Sequence, residues 1–253
     1  MDMKIRNISK FAGIVNSYYM LLKNNVIFKF CKERHQSTRY TEYDRYPKIF
    51  SVCKEYFKEK FPSKELKILS FGCSTGEECF TIRKYFPSAK IIGVDIDKSA
   101  LHICKKRNTD RNISFVYSDH DKINDIGSFD IIFCMSILCR WPDTKYINNI
   151  TNVYSFSKFQ NTIRKLDKIL AKNGLLVIYN SNFVFSDTSI YCQYDALCSP
   201  EIIESGFVHK FDNNNNKIKE SQYRECVFIK RHQIYDLLFN INEINNPYKC
   251  TNF

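Results

Sequence analysis

Between residues 66 and 179 the chain alternates short apolar runs with amphipathic stretches. Runs at 66–71, 90–95, 113–117, 130–135 and 174–179 predict buried strands, because they are short, apolar and bounded by polar punctuation. Helical spacing at 77–86, 98–107 and 158–171 fills the gaps, and Asn173-Gly174 predicts a left-handed cap closing the last of these helices. Farther on, GFVHKF, the loop DNNNNK and YRECVFIKR predict two antiparallel strands joined by an asparagine-rich turn. Alternating strands and helices predict an α/β fold, a mostly parallel doubly wound sheet.

The stretch LKILSFGCSTGEECFT (66–81) carries the first chemical signal. A strand turns through Gly72 and Gly76 into a helix, which predicts backbone N–H groups facing an open crevice. The next strand, AKIIGVDID, reaches Asp95 about twenty residues later, the spacing at which an acid can accept hydrogen bonds from a ribose diol. A dinucleotide turn needs a glycine where Cys73, Ser74 and Thr75 stand. A phosphate-binding loop needs Gly-Lys-Ser/Thr where Gly76 is followed by Glu77 and Glu78. Paired acids suit a cofactor with positive charge and no phosphate, and S-adenosylmethionine meets both conditions. The competing structural reading is that the glycines serve tight packing and Asp95 caps the next helix.

The run GCSTGEE, preceded by ILSF and followed by VDID, resembles motifs I and II of class I S-adenosylmethionine-dependent methyltransferases, and within them the CheR-like group. FDIIFCMSIL (129–138) resembles that group's fourth-strand motif, and LDKILAKNGLLVIYNSNF (166–183) its last helix and fifth strand. The resemblance implies a Rossmann-like seven-stranded sheet with an antiparallel C-terminal hairpin, and a cofactor bound at the carboxyl ends of the first strands. It implies that Gly72, Cys73, Ser74, Thr75 and Gly76 lie along the methionine moiety and sugar, with Asp95 on the ribose. Ile96 would pack on adenine, Asp119 would bond the adenine amine (Ser118 and His120 being alternatives), and Cys134 with Met135 would lie beneath the sulfonium. Receptor methyltransferases carry C-R-N-V-x-I-Y-F where this chain has Cys134-Met135-Ser136-Ile137-Leu138-Cys139-Arg140-Trp141. The family tyrosine is therefore replaced by Arg140, and the receptor-glutamate substrate does not carry over.

Candidates for chemistry beyond the cofactor are few. His120 is the best-placed general base, and Arg140 and Trp141 are candidates for clamping an anionic or planar acceptor; Trp141-Pro142 is equally readable as a turn. Glu77 is expected to cap its helix or to meet the cofactor's amino group. Tyr154, Phe156, Phe159, Phe183, Phe185, Tyr191 and Tyr194 flank the expected acceptor side, with core packing as their alternative role. Arg39, Tyr40, Tyr43 and Arg45 are placed to fold over the cofactor from the N-terminal side.

Composition sets outer bounds. A chain of 253 residues with 44% hydrophobic and 26% charged positions is enough for one full α/β domain. The expected division is an N-terminal helical extension or lid over 1–60, the methyltransferase domain over 61–240 and a tail over 241–253. The 11 cysteines show no C-x-x-C spacing, so no metal is expected, and reduced core thiols point to a cytoplasmic protein. A net charge of +11 suits anionic partners, yet no Asn/Asp-Pro-Pro-Tyr/Phe turn and no RNA-binding module is present, so nucleic acid is a disfavoured partner. From Met3 to Lys32 there are basic residues, no acid, and apolar positions at helical spacing. This predicts an amphipathic helix on the domain, on a membrane surface or against a partner. No run of about twenty apolar residues predicts a membrane span. Two function classes remain: an active methyltransferase whose acceptor is unidentified, or a binding protein built on the same fold.

Overall fold

A computed structural model describes residues 34–117, 127–219 and 223–231. The basic N-terminal stretch, Ser118, Asp119, His120 and the C-terminal tail lie outside the described residues.

Among the described residues four α-helices and seven strands follow in chain order: α1 (Pro47–Lys60), β1 (Lys67–Phe71), α2 (Glu77–Tyr85), β2 (Lys90–Asp95), α3 (Lys98–Arg107), β3 (Ile113–Tyr117), β4 (Phe129–Met135), α4 (Phe156–Ile169), β5 (Leu170–Tyr179), β6 (Tyr194–Ala196) and β7 (Val227–Lys230). They build one seven-stranded sheet in the order β3-β2-β1-β4-β5-β7-β6. The first five strands of that order are parallel, and β7 runs antiparallel to both β5 and β6. Because β1 pairs with both β2 and β4, the strand order reverses there, and a crevice opens beyond the carboxyl ends of these strands.

Strand alternation divides the core in two. Ile131, Phe133 and Met135 of β4 join Ile49, Phe50, Cys53 and Phe57 of α1 on one face of the sheet. Ile132 and Cys134 join Phe156, Phe159, Ile163 and Leu166 of α4 on the other. The apolar spacing of three and four residues in α4 makes that stripe, and Ser155 caps the helix by accepting from the Lys158 N–H. Pro47 stands in the first turn of α1, where its missing N–H costs nothing.

Two sequence expectations are corrected. The antiparallel pair at the sheet edge is present, but β7 pairs with Tyr194–Ala196 and not with GFVHKF. Gly206 turns its segment out of any ladder, and Phe211 makes only isolated bridges to Phe183 and Lys217. Asn173 is left-handed, with φ 58°, but it does not cap α4, which ends at Ile169. It sits inside β5 at a break in register, where Phe129 faces Leu170 and Ile131 already faces Leu175.

Candidate functional site

The chain leaves β1 through Gly72, whose φ of +81° is open to glycine at little cost. A Cβ there would also fall 2.4 Å from Ile137 Cγ1, so the residue after β4's turn closes directly over the glycine. The N–H groups of Gly72 and Cys73 donate to the Val94 carbonyl at 2.9 and 3.0 Å, and that of Gly76 donates to Cys73 O. The Ser74 N–H donates to Asp95 Oδ2 at 2.8 Å. Four N–H groups expected to face the crevice are therefore engaged within the protein. A phosphate cradle needs such donors unoccupied, so this turn suits a ligand without phosphate.

Asp95 ends β2 and lines the cleft. Its other oxygen accepts from the Asp97 N–H at 2.8 Å. Each carboxylate oxygen keeps a second lone pair for a hydroxyl. Burial pushes this carboxyl up to about 6, against the backbone hydrogen bonds that lower it. Glu78 lines the same cleft from α2, accepts from Ser70 Oγ at 2.7 Å, and is pushed by burial up to about 8. Its neighbour Glu77 points elsewhere. Partial burial raises Glu77, but hydrogen bonds from Arg107 and Thr75 hold it below the ordinary carboxylate value.

Residues 34–46 form a strap over the cleft. His35 shares hydrogen bonds with Tyr154 OH and Thr162 Oγ1, and Gln36 donates to Ser136 O. The Arg39 guanidinium pairs with Asp97, while its carbonyl accepts from Ser74 Oγ at 2.9 Å. Asp97 also caps α3 by accepting from the Ser99 and Ala100 N–H groups. At the far end, Tyr46 OH meets Ser136 Oγ at 2.6 Å. Arg45 lies over the rings of Tyr40 and Tyr46, at 4.8 and 5.0 Å. The space in this cleft and the solvent at its open mouth together amount to about 960 Å³.

Gly72, Cys73, Ser74, Asp95, Ile96 and Met135 thus line one cavity. Thr75 and Gly76 belong to the turn but not to the cavity wall; Gly76 precedes α2, and Thr75 Oγ1 donates to Glu77. Cys134 departs from expectation, because successive strand side chains point to opposite faces and it enters the α4-side core. Arg140 is also absent from the cavity wall: its guanidinium donates to Arg34 O. Burial, then the charge of Arg34, hold it below the usual guanidinium value. The flanking aromatics Tyr154, Phe156, Phe159, Phe183, Phe185 and Tyr194 are core residues. Tyr191 packs, partly buried, against that core. Tyr46, Ser136 and Asp97 line the cavity without having been singled out; the second acid of VDID was the available hint for Asp97.

Beneath the turn the packing is rich in sulfur. A Cβ on Gly93 would fall 2.8 Å from Cys79 Sγ and 2.9 Å from Cys73 Sγ, and Cys104 Sγ donates to Ser74 O. Eight cysteines among the described residues are free thiols, seven of them buried, whereas Cys198 is disulfide-bonded. Among the described residues no helix is long and apolar enough to cross a membrane.

A methyltransferase domain family model matches residues 62–246. The malonyl-[acyl-carrier protein] O-methyltransferase of Bacillus cereus is 26% identical over 143 residues, covering 53% of this chain and 46% of that protein. The tRNA (guanine-N(7)-)-methyltransferase of Pediococcus pentosaceus is 21% identical over 190 residues, covering 73% of this chain and 85% of that protein. Among solved structures, the plantazolicin methyltransferase BpumL in complex with SAH aligns with a TM-score of 0.37 and 19% identity, over 51% of this chain and 45% of that one. The chain spans less than half the length of the first curated relatives it matches. With the glycine turn, the acid ending β2 and the family match in agreement, the chain belongs to the class I S-adenosylmethionine-dependent methyltransferase domain family.

Proposed function

We propose that this protein is an active methyltransferase acting on a carboxyl or hydroxyl group of a small molecule, saccharide or protein. The observation that carries the reading is the pair Asp95 and Glu78, facing one cleft whose turn offers no phosphate cradle. Asp95 would accept from the ribose diol and Gly72, Cys73 and Ser74 would run along the sugar, while Thr75 and Gly76 hold the turn and Ile96 would pack on the adenine. Glu78 and Met135, on the same cleft wall, would meet the cationic end. The roles expected of Asp119, at the adenine, and of His120, as a base, fall on residues outside those described.

S-adenosylmethionine, when bound, supplies an electrophilic methyl carbon. The protein's part is then to align an acceptor and exclude water, the task for which the strap is built. A carboxylate acceptor needs no base, and the relatives named as O-methyltransferases support an oxygen acceptor. Arg45, on the strap, is better placed than Arg140 to meet an anionic acceptor. The CheR-like placement is supported by the GCSTGEE run; the buried free thiols favour a cytoplasmic setting, whereas the disulfide at Cys198 counts against it. A second reading, an RNA acceptor, is favoured by the tRNA-modifying relative and the charge of +11.

Calorimetric titration with S-adenosylhomocysteine tests the cofactor site. Micromolar binding that weakens roughly tenfold in Asp95→Ala, a loss of about 1.4 kcal/mol, is the expected result. Folded wild type that binds neither S-adenosylhomocysteine nor S-adenosylmethionine would remove the enzyme reading and leave a partner-binding protein.

A further inference from the structure

Outside the cleft, one cluster of rings has no role in the core. Trp141 lies edge-to-face with Phe207, ring centroids 5.5 Å apart, and with His209 at 6.4 Å. Phe207 is 61% exposed. A phenyl ring left this open, beside an indole and an imidazole, forms an apolar patch of the kind that marks recognition.

The patch is held in place. Gly206 has φ +112°, and a Cβ on it would fall 2.1 Å from Asn180 Oδ1, so the loop presses its backbone against Asn180. The Phe207 N–H donates to that same oxygen at 2.7 Å. Asn180 Nδ2 donates to Ser136 Oγ at 2.9 Å, and Ser136 Oγ meets Tyr46 OH at 2.6 Å. Two hydrogen bonds therefore connect the Phe207 backbone to Ser136 on the wall of the cofactor cleft, and the third carries on to Tyr46. The strap reaches the same patch, since Ser37 Oγ donates to Trp141 O.

Cations rim the rings. The Lys217 N–H donates to Asn148 O at 2.8 Å and the Ile218 N–H to Lys210 O at 3.0 Å, which sets Lys217 between the turn after Lys145 and the segment carrying His209; partial burial, then the charges of Lys217 and Lys145, hold His209 below its usual value. Lys145 also lies over the ring of Tyr146, which is 84% exposed. Asp143, the acid on this turn, acts on Arg140.

We infer that Trp141, Phe207 and His209 are an acceptor-recognition platform for a planar aromatic ring bearing an anionic group, with Lys145 and Lys217 meeting the charge. As an acceptor site it rests on the transferase reading, but ring binding is measurable without turnover. Ring-on-ring contact supplies affinity and the lysines supply the preference for an anion.

Trp141 is the single tryptophan of the chain, so its fluorescence reports the platform directly. The probes are benzoate, cyclohexanecarboxylate (same charge, no flat ring), benzyl alcohol (same ring, no charge) and a ten-nucleotide oligouridylate. Saturable quenching by benzoate, roughly tenfold weaker for each of the other two small probes, is the expected result. Phe207→Ala and Phe207→Leu should both weaken benzoate roughly tenfold while S-adenosylhomocysteine still binds by calorimetry. Lys217→Ala should erase the preference for benzoate over benzyl alcohol. Absence of saturable quenching by benzoate, or equal response to benzoate and cyclohexanecarboxylate, overturns the platform. Oligouridylate binding far more tightly than benzoate, with steep salt dependence, overturns it in favour of a single-stranded RNA surface. Failure of wild type to bind S-adenosylhomocysteine, with benzoate quenching intact, would sink the transferase reading and leave the ring site standing.

Discussion

Tyr46 and Ser136 are ninety residues apart in sequence and share a 2.6 Å hydrogen bond that joins the start of α1 to the turn leaving β4. Ser136 holds φ 59°, a conformation an L-residue adopts only when its surroundings secure it. Burial raises the Tyr46 hydroxyl above the usual phenol value, so it stays protonated at neutral pH. Tyr46→Phe and Ser136→Ala should each lower stability by about 1 kcal/mol, and the double variant by less than the sum. Urea denaturation of the four proteins measures this; strict additivity would show that the two hydroxyls do not work together.

Glu78 gives the cleft a pH response. Its folded value of about 8 stands above the ordinary 4.5, so the folded state retains a proton that the unfolded chain releases. The stability tied to that proton is complete below about pH 4.5 and disappears as pH rises through about 8. Glu78→Gln keeps an acceptor for Ser70 and removes the titration. Its melting temperature should therefore gain on wild type between pH 5 and 9, and parallel curves would refute the assignment.

The same proton opposes a cationic ligand. Affinity for S-adenosylmethionine should rise as pH climbs through about 8, and weaken below about 6 as Asp95 takes up its own proton. In Glu78→Gln the upper limb should flatten while the lower one remains. Calorimetry across buffers of different ionisation enthalpy would also show the proton leaving on binding.

Arg39 and Asp97 latch the strap, but they are not equivalent. The Asp97 side chain is 2% exposed and caps α3, whereas that of Arg39 is 33% exposed. Arg39→Ala should speed S-adenosylhomocysteine dissociation with little change in melting temperature. Asp97→Ala should do so too and lose about 1 kcal/mol of capping. Stopped-flow displacement with matched melting curves separates the two effects; equal dissociation rates in all three proteins would mean the strap does not gate the cleft.

Gly206→Ala places a Cβ against Asn180 and at a φ that L-residues avoid. A loss of about 1–3 kcal/mol is expected in chemical denaturation. A variant as stable as wild type would show that the 206–207 loop moves freely.

The parallel half of the fold was readable because each strand there carries a short, mostly apolar run between polar punctuation, and the glycine turn with the acid ending β2 has fixed spacing. The edge was not. β6 is three residues long, too short for any periodicity, while GFVHKF alternates like a strand yet follows a glycine pressed on Asn180. Asn173 has the conformation a cap would have, but at a strand bulge, and only tertiary pairing with Phe129 and Ile131 tells the two apart. The strap has no regular spacing, so its arginines and tyrosines hinted at a cover without revealing that Tyr46 would reach Ser136. Aromatics between Tyr154 and Tyr194 were ambiguous because a core and a pocket ask for the same side chains.

The missing side chain at Gly93 lets Cys73 and Cys79 pack directly beneath the glycine turn, with Cys104 bonded to Ser74 above them. Burial holds the Cys73 thiol well above its ordinary value, so it is inert while the turn stays shut. Cys192 is the exposed free thiol among the described residues. Among the described residues a thiol reagent therefore keeps two clocks: an immediate one at Cys192, and a delayed one under the turn that starts only when the floor of the cleft comes apart.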